Sequence, residues 1–78
     1  MTARPRKHSL TLRGHRTSVS LEDEFWQAFR EIAMEKGLGI NELAVEIDEA
    51  RGVENGLASA IRVYVLRHYR RPGSGVSR

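Results

Sequence analysis

The segment Thr17-Ser18-Val19-Ser20-Leu21 alternates polar and apolar residues as a half-buried strand does, in a chain otherwise patterned mainly for helices. An isolated strand leaves its backbone donors and acceptors unpaired, so this segment obliges the fold to supply a mate. We take residues 16 to 21 as the better strand. Ser9-Leu10-Thr11-Leu12 also alternates, but its apolar members fall on even positions, whereas Val19 and Leu21 are odd. Because side chains alternate with period two, the two pieces cannot form one regular strand. A bulge or bend is expected between them, with Gly14 the natural place.

Downstream the period changes. Glu22, Asp23 and Glu24 crowd a turn where a helix dipole favours negative charge, and Phe25, Ala28, Phe29, Ile32 and Ala33 then repeat at helical spacing up to a stop at Gly37. Ile40, Leu43, Ala44 and Ile47 form a second stripe that ends near Arg51-Gly52, and Asn55 is a candidate cap for a further helix. That third helix, from Leu57 to about Arg70, is apolar around most of its circumference, including Ile61 and Val65. A chain this short has few elements with which to cover such a helix, which implies a partner subunit.

Size points the same way. A single domain within 78 residues has a thin stability margin and needs reinforcement, and the absence of cysteine excludes disulfides and thiolate metal sites. Oligomerisation is what remains. No cofactor or metal site is expected, since His8, His15 and His68 belong to no cluster with ligand spacing, and Ser18 and Ser20 lack a base to make either a nucleophile. No enzymatic activity is expected. Nor does any apolar run reach a membrane-spanning length, and Met1 to Lys7 has no apolar stretch behind it to make a signal peptide, so a cytoplasmic location is expected.

Charge is segregated along the chain. Residues 1 to 16 carry +5, residues 17 to 56 carry −7 and residues 57 to 78 carry +5, so the ends are basic and the middle acidic. This arrangement suits a protein that meets a polyanion with its termini. Three parts are expected: a flexible basic arm over residues 1–8 with Arg4, Arg6 and Lys7, a domain over 9–70, and a disordered tail over 71–78.

Pairing the strand with its twin in a second copy would satisfy its backbone. The expected fold is therefore mainly α with one short β-strand, an intersubunit antiparallel ribbon over a helical dimer core, and a third C-terminal helix. Val19, Leu21, Phe25, Phe29, Ile32, Leu43, Ile47, Ile61 and Val65 are the expected dimer core. Arg16, Ser18 and Ser20 then point outward together. A two-stranded ribbon fits the DNA major groove, where these three are the expected base contacts, with Arg13 and His15 beside them at phosphates.

Thr17-Ser18-Val19-Ser20-Leu21, the acidic helix start and Gly37-Leu38-Gly39-Ile40-Asn41-Glu42-Leu43 together resemble the ribbon-helix-helix superfamily of DNA-binding proteins. More narrowly, Arg13 to Glu22 with Phe25-Trp26, and Leu57-Ala58-Ser59-Ala60-Ile61-Arg62-Val63, are similar to a bacterial subgroup known mainly as an uncharacterised domain. The resemblance implies a homodimer whose ribbon enters the major groove of double-stranded DNA. It also implies that the second helix clamps a phosphate with the amides of Gly39, Ile40 and Asn41. Two function classes are open on this basis: a DNA-binding transcriptional regulator, or an antitoxin-like adaptor dimer that docks a protein partner through its third helix or tail. A dimer or a higher oligomer fits either.

Overall fold

The computed structural model describes residues 4–51 and 56–70. The Asn55 cap, the start of the arm and the tail from residue 71 lie outside the described residues. The described chain folds as strands β1 (Arg6–Leu12) and β2 (His15–Leu21), followed by helices α1 (Asp23–Lys36), α2 (Ile40–Ala50) and α3 (Leu57–Arg70).

The expectation of a single strand is corrected. β1 and β2 form an antiparallel hairpin within one chain, in the register Arg6↔Leu21 through Leu10↔Thr17 to Leu12↔His15. The bend expected at Gly14 is a tight turn. Arg13 and Gly14 occupy it with φ of 52° and 83°, both positive, as the two-residue turns that match strand twist require. Every pair in this register joins an even to an odd position, so Leu10 and Leu12 share the inner face with Val19 and Leu21. The boundary at residue 8 moves as well, because Arg6, Lys7 and His8, expected in a flexible arm, are part of β1.

α1 ends where the sequence places its stop. Gly37 adopts φ 72°, its amide donates to the Met34 carbonyl at 3.1 Å, and the Leu38 amide donates to Ala33 at 2.9 Å. This is the glycine-dependent closure that satisfies the last carbonyls of a helix. α2 opens on Gly39, whose amide donates to Glu42 Oε1 at 2.7 Å.

The helices pack on the inner face of the hairpin. Leu10, Val19, Leu21, Phe29, Ile32, Ala33, Leu43, Ala44, Ile47, Ile61 and Val65 form one buried cluster with no buried polar residue among them. Eight of the nine expected core residues are therefore already buried within a single chain. Phe25 is the ninth; it is half-buried, with the Arg62 guanidinium 5.9 Å from its ring centroid. α3 is covered on its Ile61 and Val65 side by the chain itself. Its Val63, Leu66 and Tyr69 remain 44%, 51% and 40% exposed.

Candidate nucleic-acid interface

Alternation along the hairpin sends Lys7, Ser9 and Thr11 of β1, and Arg16, Ser18 and Ser20 of β2, to the outer face. All six are exposed. They face one another in register as Lys7↔Ser20, Ser9↔Ser18 and Thr11↔Arg16, giving two cations, four hydroxyls and no carboxylate. Among the described residues neither Lys7 nor Arg16 has an ion-pair partner. This is the chemistry of a surface that presents donors to an anionic or acceptor-rich ligand.

Acids near the hairpin are paired with cations outside this set. Arg6 lies 3.5 Å from Asp23, and Arg13 contacts Glu49 at 2.7 Å and Asp48 at 3.6 Å. Arg62 Nη2 lies 2.9 Å from Glu22 Oε1 and also donates to the Ser20 carbonyl at 3.4 Å. The Glu22 carboxyl is held below its usual range, first by its own backbone amide and then by the Arg62 hydrogen bond. The Arg13 pKa is raised, chiefly by the hydrogen bond to Glu49.

Arg16, Ser18 and Ser20, the expected base contacts, share one face with nothing packed over them. Arg13 does not join them, because the turn sends it to the acidic end of α2. His15 is exposed at the hairpin tip, but on the inner-face parity opposite Leu12, away from Arg16. His8 stacks on Trp26 with ring centroids 4.0 Å apart and planes 8° from parallel, so it faces inward, away from the outer face. Its Nε2 is buried without a hydrogen-bond partner.

At the start of α2 one backbone amide is already engaged. Gly39 gives its amide to Glu42, and the Asn41 side chain accepts the Thr11 amide at 2.9 Å. Of the three amides expected to clamp a phosphate, that of Gly39 is taken by a carboxylate, while at Asn41 it is the side chain that is engaged, by the edge of β1. Lys7, Ser9 and Thr11 were not expected on the ribbon. The odd-position polar residues of Ser9-Leu10-Thr11-Leu12 carried that signal, but it could be read only together with a turn at Arg13-Gly14.

The backbone of β2 adds a second feature. In a two-residue hairpin the residues flanking the turn exchange both hydrogen bonds, so Leu12↔His15, Leu10↔Thr17 and His8↔Val19 are the bonded pairs. The amides and carbonyls of Arg16, Ser18 and Ser20 therefore point away from β1. The Arg62 contact to the Ser20 carbonyl agrees with this, and so does the Thr11 amide, which is free to bond Asn41 on the opposite edge.

Among the described residues no group of three or more His, Asp or Glu could hold a metal ion, and no helix is long and apolar enough to cross a membrane. Comparison with known families gives a match to the family described as ribbon-helix-helix domain over residues 5–69. No curated protein and no solved structure matches significantly.

Proposed function

Because the chain belongs to the ribbon-helix-helix domain family, we propose that it is a DNA-binding transcriptional regulator that acts as a homodimer, joins β2 to β2 of a second copy, and carries out no catalysis. One observation supports this reading: the strand whose outer face bears Arg16, Ser18 and Ser20 also has an outer edge whose backbone groups point away from β1 and where, among the described residues, Arg62 meets the Ser20 carbonyl at 3.4 Å and no strand pairs with it. An antiparallel twin centred on Ser18 would pair Ser18 with Ser18 and Arg16 with Ser20 of the other copy, in hydrogen-bonding register. Both outer faces would then lie on one side, free of acids, with the central β2 pair forming a two-stranded ribbon that fits the major groove.

In that geometry Arg16 is the principal reader, since a guanidinium can bond O6 and N7 of one guanine, while serine hydroxyls discriminate weakly. Arg16→Ala is expected to weaken duplex binding by about 1 to 3 kcal/mol and to relax preference at one position per half-site. Selection of bound duplexes by the purified protein, followed by anisotropy titration of wild type and variant, measures both. Equal affinities would remove the reading.

The exposed α3 residues Val63, Leu66 and Tyr69 favour a second reading, an antitoxin-like adaptor. Beside them a groove of about 340 Å³ between α2 and α3 has Ile47 and Tyr64 in its lining and Arg67 at its rim. An adaptor would form dimers that bind a protein through α3 and show negligible affinity for DNA.

A further inference from the structure

Ribbon and groove dimensions separate the roles of the two strands. Neighbouring strands lie about 4.8 Å apart. In a sheet ordered β1-β2-β2-β1 across two copies, each β2 would sit about 2.4 Å from the two-fold axis and each β1 about 7 Å from it. The major groove is about 12 Å wide, so its walls stand about 6 Å from the centre. β2 fits on the floor, but β1 cannot lie there beside it.

We propose that β1 is a backbone-gripping flank, with Lys7 contacting DNA phosphate on each wall of the groove while β2 alone reads bases. This rests on the DNA-binding reading above and adds to it a division of labour between the two strands. The side chains agree with the assignment. Lys7 is exposed on the DNA-facing side, has no ion-pair partner among the described residues, and lies in register with Ser20 of the reading strand. A lysine ammonium acts as a point charge toward phosphate, whereas bidentate base recognition is better suited to Arg16. The flank is also held in place, because the Thr11 amide is bonded to Asn41 at the start of α2 and Arg6 is paired with Asp23 at the start of α1. Lys7 therefore projects from a strand tied to the helical layer near both ends, not from a free arm.

The test compares Lys7→Ala, Arg16→Ala and wild type in duplex-binding titrations over a range of salt concentrations, with duplex selection repeated for each protein. Each lost phosphate contact changes the slope of log K against log salt by about 0.9, so Lys7→Ala should make the dimer's slope shallower by about 1.8 and leave the selected sequences unchanged. Two results would overturn the proposal. One is an unchanged slope for Lys7→Ala while Arg16→Ala still weakens binding. The other is a shift in base preference for Lys7→Ala, which would place β1 on the groove floor and the single-chain hairpin in the groove. Absence of binding by wild type would instead remove the DNA-binding reading itself, and this is seen before any variant is compared.

Discussion

Proline substitution at adjacent β2 positions separates the hairpin from the dimer. The Ser18 amide points away from β1, so Ser18→Pro deletes no hydrogen bond within the hairpin, and edge strands tolerate proline. The Thr17 amide belongs to the bonded pair with Leu10, so Thr17→Pro removes a rung of the hairpin ladder. In the proposed dimer the symmetric Ser18 pair exchanges two hydrogen bonds, and both are lost in Ser18→Pro. At about 0.5 to 1.5 kcal/mol net each, the loss is about 1 to 3 kcal/mol, or about a 5- to 150-fold weaker dimer. Sedimentation equilibrium over a concentration series gives the dimer constant, and circular dichroism with amide exchange reports the monomer fold. Ser18→Pro should give a folded monomer with a protected hairpin, while Thr17→Pro should lose protection at Leu10 and its neighbours. An unchanged dimer constant for Ser18→Pro, or equal damage to the monomer by both substitutions, would refute the assignment of the two edges.

Two further predictions concern the monomer. Phenylalanine in place of His8 keeps the stack on Trp26 and removes a buried nitrogen without a partner, so His8→Phe should raise stability by about 1 kcal/mol, read as a higher urea midpoint. A lower midpoint would mean that the imidazole makes a bond the stack does not reveal. Glu22 has a folded pKa below its unfolded value, so the stability it contributes is complete above the unfolded value and is lost as pH falls through the folded one. Urea midpoints from pH 7 down to about 3 should therefore fall less steeply for Glu22→Gln than for wild type, and parallel curves would contradict this.

Local patterns made the helices legible. The 3.6-residue stripes, the acidic first turn of α1 and the Gly37 stop placed all three helices within a residue or two of their observed bounds, because each signal acts over one turn. Core positions emerged from the same stripes, and the outward set Arg16, Ser18 and Ser20 from alternation. The hairpin was harder to read. Its turn is Arg13-Gly14 instead of Asn-Gly, and a left-handed arginine is not a residue that announces such a turn. Leu10 is absent from the expected core for that reason, and by sequence alone the basic run Arg4-Pro5-Arg6-Lys7 reads as a flexible arm. Contacts between distant residues carried no local signal at all. Arg13 with Asp48 and Glu49, and the Gly39 amide with Glu42, are expected phosphate ligands already engaged, Thr11 with Asn41 ties β1 to α2, and only the folded chain brings these groups together.

The Thr11 to Asn41 hydrogen bond has a consequence for assembly size. A sheet with two bare margins could go on adding copies into a fibre, whereas here the margin on the β1 side is blunted by a side-chain amide at one point and by a lysine further along. Growth by strand addition is thereby directed to the β2 margin, and in the proposed dimer, where its twin would occupy that margin, the sheet would close at four strands.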